Sequence, residues 1–346
     1  MGKILGNRWI FILILVGGGW FGYSLLYKPF FGANVQTAAG DQVEFYIPTG
    51  YDYRMVGNKL LEEKLIRDPK SFHWLAEQMN YPNHVYPGRY ILENGMSTRD
   101  LITLLRSGKR EPITFTFVKF RTKEDLAAYV GEQFEMSAKD LLEVLNDAEF
   151  LRKHNGLTPE LALMAFIPNT YEMHWHIKPK DFFERMFKEY KRFWNETRDA
   201  QRRKLNLNRR EIMTVASIVE EETNKNDEKS TIAGVYLNRV RKGWPLEADP
   251  TVKYAVGDFT LRRILNKHLE VQSPYNTYQV AGIPPGPICT PSIASIDAVL
   301  KGERHKYMFF CAKADGSGYH AFSETLAQHL AYAREFHDML NRQGIK

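Results

Sequence analysis

Residues 210–224 read REIMTVASIVEEETN and have the periodicity of an amphipathic helix. The apolar residues recur at the i, i+3, i+4, i+7 spacing that places side chains on one helix face; they are Ile212, Val215, Ile218 and Val219. The next position on this face is occupied by Glu222. Burial disfavours the charged form of a carboxyl and raises its pKa, which suits a general acid near neutral pH. The spacing therefore indicates Glu222 as a candidate catalytic acid.

The two neighbouring glutamates are expected to point in other directions. Glu220 lies two positions before Glu222, which is about 200° around a helix, and Glu221 points away from the apolar face. An alternative is that the helix ends at Val219 and that all three glutamates are solvated. The periodicity alone leaves both interpretations open.

Two later segments have the composition of a cleft. Residues 248–254 (ADPTVKY) follow a predicted helix over 232–241, and residues 281–288 (AGIPPGPI) contain three prolines and two glycines. Such a run forms a stiff, non-helical loop. Just before it, Tyr275, Asn276 and Tyr278 offer flat faces and polar groups, as a sugar-binding cleft requires. A turn-rich connector is the alternative.

The amino-terminal segment has no charged residue over residues 9–27, WIFILILVGGGWFGYSLLY. As a helix these 19 residues span roughly 28 Å, the thickness of the hydrocarbon core of a membrane. We predict a transmembrane helix over 9–28 after a cytoplasmic tail of residues 1–8, because Lys3 and Arg8 favour an inside amino end. A cleaved signal peptide and a buried core helix are the alternatives.

The composition excludes several classes of protein. The 346 residues suit two or three domains, and 44% hydrophobic with 25% charged residues is typical of a folded chain. Half of the net charge of +6 lies in residues 1–40, which leaves 44 basic against 41 acidic residues in the remainder and no footprint for nucleic acid. Cys289 and Cys311 are too few for a disulfide scaffold, although the two could pair.

Both a transmembrane helix and a signal peptide would export the chain that follows. This exported part is predicted to contain two domains after a linker of residues 29–42. Residues 43–47 alternate like a strand, two short helical patterns and a second strand ending at 92 follow, and Ser97 begins a helix that stops near Gly108. This order predicts a small α/β domain over residues 43–110. The remainder, residues 111–346, predicts a larger domain of mixed α+β class.

An ordered set of motifs lies between residues 216 and 329, and the pattern that contains them extends from about Val43 to the carboxyl end. The motifs are ASIVEEET at 216–223, Asn238-Arg239, DPTV at 249–252, YNTY at 275–278, GIPPG at 282–286 and DGSGYHAFS at 315–323 with His329. Together they resemble the YceG-like endolytic murein transglycosylases. The chain departs from the pattern of this family at Leu163-Met164, where the family has Glu-Gly, and at Asn169, where it has Asp.

The resemblance implies both an activity and a site. The glutamate before the threonine of the first motif, Glu222, would be the single catalytic residue, acting as acid and then as base to cleave the MurNAc–GlcNAc bond of nascent peptidoglycan strands with 1,6-anhydro ends. It also implies a LysM-like domain over 43–110, and neither metal nor cofactor. The substrate-binding candidates are Glu220, Asp249, Thr251, Tyr275, Asn276, Tyr278 and His320.

The same resemblance implies a location and partners. The protein would be a single-pass protein of the cytoplasmic (inner) membrane, with its catalytic part on the periplasmic or extracellular side. Its partners would be glycan strands and peptidoglycan synthases or division proteins, and no nucleic acid.

Two other classes compete with this interpretation. The first is a non-catalytic, membrane-anchored glycan-binding or scaffold protein, which would tolerate the loss of the Glu222 carboxyl. The second is a metal hydrolase using Glu172, His174 and His176, but no HExxH motif occurs and these residues would merely share one face of a strand.

Overall fold

The computed structural model describes Gly18, Gly22, Tyr23 and residues 27–37, 40–261 and 263–342. Most of the transmembrane helix predicted over 9–28 lies outside these residues. In the described part of the chain, no helix combines the length and the apolar character needed to cross a membrane.

The described chain is of mixed α+β class, as predicted, with helices accounting for most of its regular structure. It contains three two-stranded sheets within the described residues, β1 with β2, β3 with β4 and β5 with β6. The strands are β1 Gln42–Ile47, β2 Gly88–Glu93, β3 Ile113–Thr116, β4 Thr170–Met173, β5 Phe309–Ala312 and β6 His320–Ser323. The helices are α1 Lys28–Phe31, α2 Tyr53–Glu62, α3 Pro69–Gln78, α4 Thr98–Ser107, α5 Lys123–Gln133, α6 Ala138–Asn146, α7 Ala148–Arg152, α8 Pro179–Phe193, α9 Glu196–Leu205, α10 Arg209–Glu222, α11 Lys229–Arg241, α12 Asp249–Val256, α13 Asn266–Leu269, α14 Ile293–Lys301 and α15 Leu326–Arg342.

The chain divides into two compact units. Unit 1 consists of the chain up to Phe115 together with Gln133–Glu135 and Glu172–Ile177. Unit 2 consists of Thr116–Glu132, Met136–Tyr171 and Lys178–Lys346.

Unit 1 has the predicted order of a strand, two helices, a strand and a helix. Strands β1 and β2 pair antiparallel, with Val43 opposite Leu92. Each of the three helices α2, α3 and α4 begins at a side chain that accepts hydrogen bonds from the first turn, namely Asp52, Asp68 and Ser97. The apolar faces of these elements meet in one core, whose fully buried members include Phe45, Val56, Phe72, Tyr90 and Leu101.

Unit 2 is built around helix α10. Its amino end is fixed by a capping box, in which Asn208 accepts from the Glu211 amide and the Glu211 carboxylate accepts from the Asn208 amide. Every residue from Ile212 to Val219 is buried, because α11, α12 and α14 pack around the helix. The helix continues to Glu222, so the alternative in which it ends at Val219 is wrong.

The β5–β6 hairpin is attached to helix α11 by two polar side chains. The Asn238 amide donates to the carbonyl oxygens of His305 and Tyr307, at 2.9 and 3.0 Å. The buried Arg239 guanidinium donates to the Met308 carbonyl at 2.8 Å. These bonds satisfy backbone acceptors just before β5, and they hold the hairpin beside the helix that follows α10.

The two cysteines do not form a disulfide. Cys289 is a buried free thiol, and Cys311 is a partly buried free thiol on β5. The pairing that the sequence left open is therefore absent between these two described residues.

Candidate active site

The carboxyl of Glu222 lies at the last position of helix α10 and faces a cleft. Its Oε1 accepts a hydrogen bond of 2.5 Å from the hydroxyl of Tyr236, a buried residue of α11. The Glu222 side chain is partly buried, in contrast to residues 212–219 of the same helix, which are buried. The end of the buried helix thus delivers one carboxyl to a cavity, with a tyrosine hydroxyl fixing its orientation.

All the residues that line the cleft belong to unit 2. It has a volume of about 390 Å³, which is in the range of small-ligand sites. One wall is the α10–α11 pair, a second is the β5–β6 hairpin, and a third is the segment around the start of α12. The residues that line the cleft include Glu222, Tyr236, Asp249, Tyr278, Phe310 and His320.

The cleft changes the acidity of Glu222. Burial raises the pKa of this carboxyl from 4.5 to about 7. The hydrogen bond from Tyr236 opposes the increase in pKa, whereas the negative charge of Asp249 adds to it and Lys253 lowers it. A carboxyl with this pKa is protonated in about half of the molecules near pH 7, so it can both donate and accept a proton there.

The Glu220 carboxyl lies away from the cleft and is held in a polar cluster. It accepts from the hydroxyls of Ser292 and Ser295, both at 2.5 Å, and from the Lys229 ammonium at 3.0 Å. Burial raises the pKa of Glu220, but these donors outweigh burial and the net pKa is lowered. Its carboxylate therefore fixes the last turn of α10 against α11 and α14.

The Glu221 carboxylate also serves the structure outside the cleft. It forms ion pairs with Arg121 at 2.7 Å and Lys119 at 3.1 Å. Burial raises its pKa, yet the two cations outweigh that effect and lower it overall. Of three consecutive glutamates, two are neutralised by partners and Glu222 alone has a raised pKa.

Asp249 and Tyr278 lie together in the cleft wall. The Tyr278 hydroxyl donates to Asp249 Oδ1 at 2.6 Å, and burial together with this carboxylate raises the pKa of Tyr278. Asp249 is the first residue of α12, so its backbone position is set by the helix start. The pair places a carboxylate and an aromatic ring beside Glu222, in the same cavity.

Three of the other candidates shape the loops instead of lining this cavity. Thr251 is fully buried, and its hydroxyl lies 2.8 Å from the hydroxyl of Thr277. The Tyr275 ring packs against Tyr254, with 4.7 Å between the ring centroids. Asn276 is fully buried.

The Asn276 amide organises the turn that presents Tyr278. Its Nδ2 donates to the carbonyl oxygens of Leu269 and Val271, both at 2.9 Å. Its Oδ1 accepts from the Tyr278 amide at 3.2 Å. Asn276 therefore positions a cleft residue by its backbone, without reaching the cleft itself.

His320 lies in the cleft wall at the start of β6. Its ring packs edge to face against Phe310 of the paired strand, with 5.3 Å between the centroids. The hairpin thus contributes His320 of β6 and residues 309–312 of β5 to the lining of the cavity.

Sequence reasoning did not single out Tyr236 or Arg239 as site residues. Tyr236 lies on the buried face of α11. A tyrosine hydroxyl on such a face needs a hydrogen-bond partner, and this requirement could have indicated Tyr236 from the sequence. Arg239 lines the cleft and donates to the carbonyl of Leu246 at 2.9 Å and to the carboxylate of Glu247 at 2.8 Å. It holds the chain that leads into α12.

The positions that depart from the family pattern lie outside the cleft. Leu163 and Met164 belong to a short 3₁₀ helix over Pro159–Ala165, and Asn169 precedes β4.

The residues proposed for a metal hydrolase lie elsewhere. In unit 1, His176 Nε2 is 3.0 Å from the Arg110 guanidinium. Within the ranges that the structure describes, no three His, Cys, Asp or Glu side chains are grouped to hold a metal ion.

The fold and the cleft define a mixed α+β protein with one carboxyl of raised pKa in a cleft at the end of a buried helix. The chain belongs to the YceG-like family, whose sequence profile matches residues 45–335.

Two curated relatives carry the name endolytic murein transglycosylase. The chain is 28% identical to that of Bacillus subtilis (strain 168) over 332 residues, covering 91% of this chain and 89% of the relative. It is 25% identical to that of Streptococcus pneumoniae serotype 2 (strain D39) over 341 residues, covering 90% of this chain but 61% of the relative. The crystal structure of a YceG-like protein from Listeria monocytogenes superposes with a TM-score of 0.57 at 26% identity, covering 84% of this chain and 98% of that one.

Proposed function

We propose that this protein is an endolytic peptidoglycan lytic transglycosylase that cleaves the MurNAc–GlcNAc bond with Glu222 as its single acid and base. The observation that carries the proposal is the Glu222 carboxyl, whose pKa is raised to about 7 in a cleft of small-ligand size. Membership of the YceG-like family and the names of the curated relatives support the choice of substrate.

In the first step the protonated Glu222 carboxyl donates its proton to the glycosidic oxygen. The bond from this oxygen to C1 of MurNAc breaks, and GlcNAc leaves with a free hydroxyl. Positive charge develops at C1, where an oxocarbenium-like centre forms. The carboxylates of Asp249 and Glu247 lie in the same cleft and favour positive charge there.

In the second step the Glu222 carboxylate takes the proton of the C6 hydroxyl of the same MurNAc. The O6 atom attacks C1 and closes the 1,6-anhydro ring, which consumes no water. The residue returns to its protonated form, so one carboxyl with a pKa near 7 serves both steps. The Tyr236 hydroxyl keeps Oε1 in place through the cycle.

The products distinguish this reaction from hydrolysis, which uses a pair of carboxylates. We expect mass spectrometry of peptidoglycan treated with the protein to find strands that end in 1,6-anhydro-MurNAc. Reducing MurNAc ends would instead indicate a hydrolase in which Asp249 or Glu247 activates water. Intact strands after prolonged incubation would favour a glycan-binding or scaffold protein.

The Tyr236→Phe variant tests the control of the Glu222 pKa. Tyr236 is fully buried, and its hydrogen bond lowers the Glu222 pKa; without it the pKa rises above about 7. Because the acid form is required, kcat/KM of the wild type falls about tenfold per pH unit above the pKa. We therefore expect the alkaline limb of the pH profile to move to higher pH in the variant.

The matched control for this variant is Tyr171→Phe. Tyr171 is also buried, and its hydroxyl donates to the Ile167 carbonyl at 2.6 Å, with no contact to Glu222. Its pH profile should coincide with that of the wild type. An unchanged limb in Tyr236→Phe would remove Tyr236 from the acid–base role.

We further propose that residues 9–28 anchor the protein in the cytoplasmic membrane and that the catalytic unit lies on its outer side. The uncharged run of residues 9–27 supports this location. The order of strands and helices in residues 43–110 supports a LysM-like, glycan-binding domain in this part of the chain. Partners among peptidoglycan synthases or division proteins would then meet the enzyme at the membrane.

A further inference from the structure

Glu228 is a buried glutamate just before helix α11, and it accepts two hydrogen bonds from His320. Its Oε1 accepts from the His320 backbone amide at 2.7 Å, and its Oε2 lies 3.3 Å from Nδ1 of the imidazole. Its side chain is 8% exposed, against 15% for His320. Glu228 does not line the cleft, so it reaches the cavity only through the histidine.

The contact between Oε2 and Nδ1 fixes the proton of the imidazole. A carboxylate accepts hydrogen bonds and cannot donate them, so Nδ1 must carry a hydrogen. In the neutral ring this leaves Nε2 as an acceptor. None of the described residues is hydrogen-bonded to Nε2, whereas the ring lies in the cleft wall and is held edge-on by Phe310.

We propose that Glu228 is a positioning residue, which holds His320 so that Nε2 accepts a hydrogen bond from a donor group of the bound glycan. The donors of an amino-sugar polymer are its hydroxyls and its acetamido N–H groups. The identity of the ligand rests on the proposed function, whereas the tautomer and the direction of the hydrogen bond follow from the Glu228 contacts.

The Glu228→Gln variant separates this role from mere support of the hairpin. The glutamine oxygen can keep the short bond to the His320 amide, while the NH₂ group now faces Nδ1 and donates to it. The imidazole must then carry its hydrogen on Nε2, so the atom in the cleft changes from acceptor to donor. The shape and the backbone bond are retained.

The experiment combines a spectroscopic and a kinetic measurement on the full chain. We expect ¹⁵N–¹H correlation spectra of the imidazole to report hydrogen on Nδ1 in the wild type and on Nε2 in Glu228→Gln. With uncrosslinked glycan strands as substrate, kcat/KM should fall about 10-fold to 100-fold, as when a buried donor is left without its acceptor. In a His320→Ala background, Glu228→Gln should cause no further loss.

Asp227→Asn provides the matched control. Asp227 is the preceding residue, and its carboxylate accepts from the Tyr319 hydroxyl at 3.1 Å in the same hairpin. This variant removes the negative charge from this contact, while the asparagine oxygen can still accept from Tyr319, and it does not touch His320. Its kcat/KM should stay close to that of the wild type.

Three results would overturn the inference. They are an unchanged tautomer in Glu228→Gln, full activity despite a changed tautomer, and an equal loss in Asp227→Asn. If the protein binds glycan without cleaving it, the result is different, because the wild type itself would then leave the strands uncut. In that case the affinity for glycan strands is measured for Glu222→Gln and for the double variant Glu222→Gln/Glu228→Gln. An affinity about tenfold lower in the double variant supports the His320 contact, and equal affinity overturns it.

Discussion

Glu222→Gln is expected to reduce glycan cleavage by about 10²-fold to 10⁴-fold, the usual contribution of a general acid or base. Glutamine keeps the shape of the side chain and can still accept the 2.5 Å bond from Tyr236. It cannot donate a proton to the glycosidic oxygen or take one from the C6 hydroxyl. The measurement is the rate at which anhydro ends appear, by mass spectrometry.

The matched control for this variant is Glu221→Gln. It removes the same charge one residue earlier, where the carboxylate pairs with Arg121 and Lys119 outside the cleft. We expect its cleavage rate to stay within a few-fold of the wild type. Undiminished cleavage in Glu222→Gln would assign the chemistry to another group in the cleft.

The pH dependence of stability, compared between the wild type and Glu222→Gln, tests the raised pKa of Glu222. In the wild type the folded pKa of Glu222 is about 7 against 4.5 for the free side chain, so between these values the folded state binds more protons than the unfolded state. The contribution of Glu222 to the free energy of unfolding is fully present below about pH 4.5 and is lost as the pH rises to about 7. Glutamine does not titrate, so the variant lacks this loss. As the pH rises from 5 to 8, the free energy of unfolding of the variant should increase by about 1–3 kcal/mol relative to that of the wild type. If the difference in stability between the variant and the wild type is the same at pH 5 and at pH 8, the raised pKa of Glu222 is contradicted.

Lys229→Met is expected to destabilise unit 2 by about 3–5 kcal/mol, because it leaves a buried carboxylate without its cation. The Lys229 side chain is 4% exposed, and its ammonium pairs with Glu220 at 3.0 Å. The hydroxyls of Ser292 and Ser295 remain as donors but carry no charge. In a unit of this size the loss corresponds to a decrease in Tm of roughly 6–20 °C, which differential scanning calorimetry measures.

Two comparisons establish the cause of this loss. Lys153→Met removes the ammonium of an exposed pair with Glu149, at 3.5 Å, and should change stability by no more than about 0.5 kcal/mol. Adding Glu220→Gln to Lys229→Met removes the stranded charge and should recover much of the stability. If the double variant is as unstable as Lys229→Met, packing and not charge accounts for the loss.

The local elements follow from the sequence because their signals are local. Ser97 and Gly108 bound helix α4 as expected, and the apolar spacing of residues 212–219 predicted helix α10. The same spacing indicated that Glu222 follows the buried face. The structure corrects the amphipathic expectation in one respect, since residues 212–219 of α10 are buried on all sides of the helix.

The roles of the other polar residues depend on contacts between distant parts of the chain. Glu220 meets Ser292 and Ser295 more than seventy positions away, and Glu228 meets His320 across 92 positions. Thr251 and Asn276 have the residue types of a binding site, but buried backbone groups and neighbouring hydroxyls use their hydrogen-bonding capacity.

The sequence by itself determined the order of strands and helices in residues 43–110, the mixed α+β class and one carboxyl at the end of an apolar helix face. Only the tertiary structure decided which of the three adjacent carboxyls keeps a raised pKa. The physical reason is that helical periodicity fixes the direction of a side chain, whereas its pKa depends on the charges and donors that surround it. Cations and hydroxyls from distant segments neutralise Glu220 and Glu221, and Glu222 meets a tyrosine hydroxyl and the open cleft.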